Sequence, residues 1–199
     1  GLYGIATANS PFQITNTVAP FLLSGGYTGA GFEKGGETLL ARTDSSVQTR
    51  ILDCSAATFC AEGLVISNGW SKGSGETATY RHGQGVRLTD DCMAQFEGCA
   101  FRNNSDTTLD DQTYCGGAIG AKGGTLIVRD CLFWKNRLYG NSDNVRGGGG
   151  AIGADQTALY VSDTLFVSNY LQSIHKRYLH GGAMRIMSAP DVEIANCTF

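Results

Sequence analysis

The stretch that decides the fold runs from Gly116 to Asn136 and reads GGAIGAKGGTLIVRDCLFWKN. It opens on Gly116-Gly117-Ala118-Ile119 and closes on Phe133-x-x-Asn136, and both ends recur. The opening returns as Gly149-Gly150-Ala151-Ile152 and as Gly181-Gly182-Ala183-Met184, at spacings of 33 and 32 residues. A degenerate copy, Gly83-Gln84-Gly85-Val86, lies 33 residues ahead of the first. The closing motif recurs as Phe101 to Asn104 and Phe166 to Asn169, and Phe199 stands where a further copy would begin. Two motifs locked to one beat of about 33 residues are the signature of a repeat array.

Between the motifs the pattern alternates with the period of a half-buried strand. Leu126 and Val128, Leu159 and Val161, Val192 and Ile194 each stand seven and five residues before the phenylalanine, so they are expected to point inward. Cys99, Cys131, Thr164 and Cys197 share that parity two residues before it. No segment sustains a helical period, and Gly, Asn and Asp interrupt the apolar triplets every few positions. The sequence therefore predicts a right-handed parallel β-helix, in which like residues of successive coils stack on one another. Asn104, Asn136 and Asn169 are expected to form an asparagine ladder at a turn, with left-handed backbone geometry that Asn tolerates. Gly63 to Gly69 matches the closing motif with Ile66 in the place of Phe101, so coils continue toward the N-terminus. The organisation expected is entry coils over residues 1–60 and regular coils over 61–199, continuing beyond Phe199 into a larger parent protein because no polar cap closes the array.

Composition agrees with an array. The 199 residues include 28 Gly and 3 Pro, a balance that suits glycines placed at turns better than a disordered linker. The formal net charge of −3 has no block of Lys and Arg behind it, which argues against nucleic acid and anionic membrane surfaces as partners. The apolar run from Val18 to Leu23 is interrupted by Pro20 and is far shorter than the roughly 20 residues that cross a bilayer.

The paired Gly-Gly-Ala-Ile and Phe-x-x-Asn motifs resemble those of the polymorphic outer-membrane proteins and related β-helix repeat proteins, over roughly residues 61 to 199. The N-terminal Leu22-Leu23-Ser24-Gly25-Gly26-Tyr27 and Arg50-Ile51-Leu52-Asp53 are similar to the entry coils of secreted β-helix proteins. The resemblance implies export, display at the cell surface on an autotransporter-type passenger domain, and adhesion. Fold analogy alone does not establish activity.

The 7 cysteines leave at least one unpaired within the segment. Cys99, Cys131 and Cys197 read as small apolar core residues. In an oxidising compartment Cys54 with Cys60, and Cys92 with Cys115, are candidate disulfides. No C-x-x-C pair supports a zinc site. His82, Cys115, Gly148 and His180 form a column ahead of the glycine motif, but the two histidines lie three coils apart, about 14 Å at one strand spacing per coil, beyond the reach of one metal ion. No metal and no cofactor is expected.

Many β-helices process polysaccharides, and such enzymes gather calcium-binding carboxylates with a basic residue, or paired carboxylates, in one groove. The acidic pairs Asp90-Asp91 and Asp110-Asp111 and the cations Arg129, Lys135 and Arg137 are the available candidates. Solvation of a strand edge and of a loop tip accounts for the two acidic pairs more simply. The polygalacturonase-like order of Asn-x-Asp, Asp pair, Gly-His-Gly and Arg-x-Lys is not reproduced, so no residue is assigned a catalytic role.

Better candidates are the segments 70–82, 105–115, 137–148 and 170–180, which are read as loops that leave the coil after the asparagine turn and project from one edge. Tyr80, Tyr114, Tyr139, Tyr170 and Tyr178 lie in them among polar residues, a mixture suited to stacking on sugars or packing against a protein. The blander reading is that each tyrosine covers the coil edge. Asn103 and Asn196 head sequons and would accept N-glycans in a eukaryotic source. The function expected is a structural or adhesive module outside the cell, non-catalytic, part of a stalk, fibre or passenger domain. Its partners would be other segments of a surface assembly, glycans or a host surface. The alternative is a carbohydrate-binding or polysaccharide-processing β-helix of lyase, glycosidase or epimerase type.

Overall fold

The computed structural model describes residues 2–5, 11–17, 19–28, 33–70, 83–108, 116–140, 148–173 and 180–199. Three parallel sheets, each six strands deep, carry the chain. The first sheet stacks β1 (Leu2–Ile5), β6 (Thr38–Arg42), β9 (Leu64–Ser67), β12 (Ala100–Arg102), β16 (Leu132–Trp134) and β20 (Leu165–Val167). The second stacks β2 (Phe12–Thr15), β7 (Leu52–Ser55), β10 (Val86–Thr89), β14 (Ile119–Lys122), β18 (Ile152–Asp155) and β22 (Met184–Met187). The third stacks β3 (Phe21–Ser24), β8 (Thr58–Glu62), β11 (Met93–Glu97), β15 (Thr125–Arg129), β19 (Ala158–Ser162) and β23 (Val192–Ala195). A short antiparallel pair, β4 (Tyr27–Thr28) and β5 (Glu33–Lys34), decorates the N-terminal side. The protein is a parallel β-solenoid.

The register reproduces the repeat. Val86 pairs with Ile119, Ile119 with Ile152 and Ile152 with Met184, steps of 33, 33 and 32 residues. Ile66 pairs with Phe101, as the upstream match requires. The first coil obeys the same pairing at a longer interval, with Leu2 on Leu39 and Phe12 on Leu52.

The core lies inside the three sheets because alternate residues of every strand face it. Leu126, Val128 and Leu159 have no exposed surface, and Val161 has 2%. Val192 and Ile194 keep the same register on β23, yet they are 43% and 42% exposed because β23 is an edge strand of the sheet among the described residues. Phe101, Phe133, Phe166 and Phe199 form a continuous stack with ring centroids 4.6, 4.8 and 4.9 Å apart and planes within 9° of parallel. Burying one such ring stabilises the fold by about 1.5–3 kcal/mol, and ring–ring contact adds about 0.5–1.5 kcal/mol. Cys99, Cys131 and Thr164 are buried in the adjacent column, as expected, and Cys197 follows them half-buried.

Each coil turns at three corners, and each corner contains left-handed backbone. Ala56, Gly123, Gln156 and Ser188 serve the first, where Asp90 and Asp91 together absorb one extra residue. Gly63, Gly98, Asp130, Asp163 and Asn196 serve the second. Asn68, Asn103, Lys135 and Ser168 serve the third. This corrects the expectation for the asparagine ladder: the left-handed residue is the one before Asn104, Asn136 or Asn169, and the ladder asparagines themselves lie outside that region.

Of the repeated glycines, Gly83 and Gly181 have the positive φ expected of a turn, but four others have another cause. Gly116, Gly117, Gly149 and Gly150 do not have positive φ. They are small because backbone approaches them: a Cβ on Gly117 would stand 2.5 Å from the Arg137 carbonyl oxygen and 2.7 Å from its nitrogen.

The candidate disulfide between Cys54 and Cys60 is not formed, and both are free thiols. Cys54 faces the core from β7, whereas Cys60 alternates outward between the buried Phe59 and Ala61, so the two side chains diverge. Cys92 is likewise a buried free thiol whose Sγ donates to the Ala57 carbonyl at 3.1 Å. Cys115 lies outside the described residues.

Candidate functional site

The site begins at the third corner. There the Asn136 Nδ2 donates to the Phe101 carbonyl at 2.9 Å and to Asn169 Oδ1 at 3.0 Å, while its Oδ1 accepts from the Asn104 backbone N–H at 3.1 Å and from Asn104 Nδ2 at 3.0 Å. Asn104 and Asn136 are completely buried. Asn169 continues the column by donating to the Phe133 carbonyl at 2.8 Å. In the preceding coil the place is taken by Gly69, whose N–H donates to Asn104 Oδ1 at 3.0 Å.

Beyond this corner the chain does not go directly into loops. It forms a fourth parallel sheet of β13 (Ser105–Thr108), β17 (Arg137–Gly140) and β21 (Tyr170–Ser173), which corrects the reading of these residues as loop. Arg137 N–H donates to the Asn104 carbonyl and Tyr170 N–H to the Asn136 carbonyl, so the ladder residue of each coil also starts the next coil's strand. Leu138 is fully buried, which turns its neighbours Arg137 and Tyr139 to the outer side.

The register then aligns one outward residue from each of four coils. Trp70 bridges to Ser105, Ser105 pairs with Arg137, and Arg137 pairs with Tyr170. The backbone of Trp70 is fixed on its other side by reciprocal hydrogen bonds with Thr49. Together with the corner residues Asn103, Lys135 and Ser168, this column encloses a groove of about 530 Å³. Arg42 closes one end.

The groove is cationic. Arg137 Nε donates to Ser105 Oγ at 2.8 Å, and its Nη1 reaches the Tyr170 hydroxyl at 3.5 Å. Lys135 Nζ lies 4.4 Å from the Trp134 ring centroid. The Arg42 guanidinium stands 5.4 Å from the Trp70 ring and donates to the carbonyls of Ser45, Val47 and Asn68 at 2.7–2.9 Å. Burial holds its pKa below the ordinary arginine value, with Asp44 opposing, yet a guanidinium keeps its charge in proteins. No carboxylate is among the described residues that line the groove.

Two of the tyrosines expected on the interaction face lie among the described residues. Tyr170 is 40% exposed and lines the groove, and Tyr139 is half-buried on the outer side of β17. Tyr80, Tyr114 and Tyr178 lie outside the described residues, as do His82 and Asp110-Asp111. Trp70 and Arg42 went unrecognised in the sequence. Trp70 was within reach, because aligning Ile66 with Phe101 places Trp70 on Ser105.

The remaining candidates are dispersed. Asp90 and Asp91 are exposed at the first corner, and Ser55 Oγ donates to Asp90 Oδ2 at 2.5 Å. That bond, with a second from Thr89, holds the Asp90 pKa below the ordinary aspartate value. Arg129 lies on the third sheet beside Tyr160 and Glu193, away from Lys135 and Arg137. His180 is exposed at the coil edge. Asn103 and Asn196 are both exposed at left-handed corners, and Asn196 Nδ2 donates to Asp163 Oδ1 at 3.2 Å. Among the described residues no group of three His, Cys, Asp or Glu side chains is placed to hold a metal ion, and no helix is long and apolar enough to cross a membrane.

No family model matches the chain, and no curated protein or solved structure matches it either. What stands of the motif resemblance is its coarser content, an all-β parallel solenoid.

Proposed function

We propose that this chain is a structural or adhesive β-helix module displayed outside the cell, in the manner of a polymorphic outer-membrane protein passenger, and that it recognises its ligand along the groove beside the asparagine corner. The observation that carries this reading is the column Trp70, Ser105, Arg137 and Tyr170, which places two aromatic rings and a guanidinium on one outward line. A solenoid converts one position per repeat into a continuous binding strip. Binding without hydrolysis is favoured by the lining, since glycoside hydrolases as a rule place two carboxyl groups across the scissile bond and the described groove residues supply none.

A carbohydrate ligand is the second reading, supported by the spacing of Trp70 and Tyr170 across amide and hydroxyl groups. The test is binding of the purified chain to a glycan array and to intact cells, with Trp70→Ala and Tyr170→Ala as comparators. Binding that falls in both variants supports recognition along the groove. Cleavage of an arrayed polysaccharide by the purified chain would overturn the non-catalytic reading, and undiminished binding by both variants would move recognition to another face.

A further inference from the structure

We infer that the groove takes a linear acidic glycan, carboxylated or sulfated, lying along the solenoid axis; this rests on the reading of the groove as the ligand face. Three cations, Arg42, Lys135 and Arg137, meet there without a carboxylate among the described lining residues, although the chain as a whole carries a formal charge of −3. Asp44 acts electrostatically on Arg42 from outside the lining, and an anionic ligand supplies counter-charge to Lys135 and Arg137, an attraction that a concave wall of low polarisability strengthens. Arg137 is held in place by Ser105 and Tyr170 through two of its nitrogens, so its planar fork is already oriented when a carboxylate or sulfate arrives.

The length of the site fits a chain of sugars. Trp70 and Tyr170 occupy the same column three coil steps apart, about 14 Å at one strand spacing per step. Tyr170, 40% exposed, and Trp70, half-buried with the Arg42 guanidinium over its ring, bring to the groove apolar ring surface with a polar rim, the kind on which a pyranose ring stacks. Beside them the exposed Asn103 and Ser168 provide hydrogen-bonding groups suited to hydroxyls. A nucleic acid is the less suitable polyanion, because the net negative chain lacks the extended basic footprint that tracks a phosphate backbone.

The experiment is titration calorimetry of the whole chain with four probes: an oligogalacturonate, a heparin-derived oligosaccharide, cellohexaose and oligothymidylate. Binding of either acidic glycan, weakened by added salt and about tenfold or more weaker in Arg137→Gln, is the expected result, since a charge-assisted hydrogen bond is worth about 1.5–3 kcal/mol. The two acidic probes separate carboxylate from sulfate recognition. Lys135→Asn keeps a residue suited to its left-handed corner and is expected to weaken the same binding, with circular dichroism and thermal melting showing that both variants fold. Preference for cellohexaose, or acidic-glycan binding indifferent to Arg137→Gln, overturns the acidic ligand while leaving the adhesive reading intact. Binding of oligothymidylate alone overturns both, as does absence of binding to every probe together with absence of binding to cells.

Discussion

Gly117 lies directly against the backbone of Arg137. A Cβ at residue 117 would come within 2.5 Å of the Arg137 carbonyl oxygen, and the equivalent Gly150 bears the same relation to the Tyr170 nitrogen, at 2.6 Å. The glycine motif therefore sets how closely the fourth sheet can approach the second, and that sheet carries the groove. Gly117→Ala cannot be absorbed by a side-chain rotation, because every close neighbour is backbone. It is expected to destabilise the fold by about 3 kcal/mol, at the upper end of ordinary overpacking. Urea denaturation measures that loss, and ligand titration of the folded fraction is expected to show weakened binding. An unchanged urea midpoint would contradict the close approach.

Asn136 supports four hydrogen bonds from a fully buried position. Truncation in Asn136→Ala leaves the Phe101 carbonyl and the Asn104 N–H without these partners, at about 1–3 kcal/mol for each buried group. The expected loss is on the order of 3 kcal/mol by chemical denaturation. Asn136→Asp is expected to be worse at neutral pH, because a carboxylate cannot donate to the Phe101 carbonyl and would be charged in the core. An Asp variant as stable as the parent would show that the ladder is not read by donor and acceptor.

Acid weakens the N-terminal side of the solenoid in a defined way. Ser24 Oγ donates to Glu62 Oε1 at 2.8 Å and Lys34 Nζ lies 3.0 Å from the same oxygen. The Ser24 hydroxyl first, and Lys34 second, hold the Glu62 pKa below its ordinary 4.5. A depressed carboxylate pKa contributes stability that is present above the unfolded value and lost as pH falls through the folded one. Thermal melts between neutral pH and pH 3 are therefore expected to fall, and Ser24→Ala to fall less over the same window. An NMR titration is expected to place the Glu62 midpoint below 4.5 and to raise it in Ser24→Ala. A midpoint that does not move would refute the assignment.

Thiol chemistry tests the core placement of Cys54, Cys92 and Cys131. Burial pushes the Cys54 and Cys92 thiols up, and the Cys99 thiol beside Cys131 pushes that group up further. Since the thiolate is the reactive form, iodoacetamide at pH 8 is expected to leave Cys54, Cys92 and Cys131 unlabelled in the native chain and to reach them after unfolding. Peptide mapping reads each site. Rapid native labelling of Cys54, or a recovered Cys54–Cys60 cross-link, would contradict the core placement.

The repeat, the inward columns and the phenylalanine stack were legible because equal spacing and alternate burial leave direct traces in sequence. The fourth sheet was not read. Its strands are four residues long, and among the residues whose burial is described only Leu138 is a fully buried trace of it, paired with Leu171 in the next coil. Missing it also misassigned Gly117 and Gly150, whose small size answers that neighbouring strand and not their own φ. The groove was legible at Tyr170, Lys135 and Arg137 individually. Their union depended on the register that sets Trp70 and Ser105 in line with Arg137, and on Arg42, which lies in coils where the motifs are weak.

The asparagine column gives direction to a nearly periodic object. Every ladder amide oxygen accepts from the coil before it, the Gly69 N–H being the starting donor, while the NH2 of Asn104 and of Asn136 gives one hydrogen back to that coil's carbonyl and the other forward to the next asparagine. Parallel amide dipoles in a buried row reinforce one another along the axis. The solenoid thus possesses an electrical head and tail, and a chain molecule laid in the groove beside Asn169 meets unlike surroundings at its two ends. Threading in one orientation and in the reverse are physically different events.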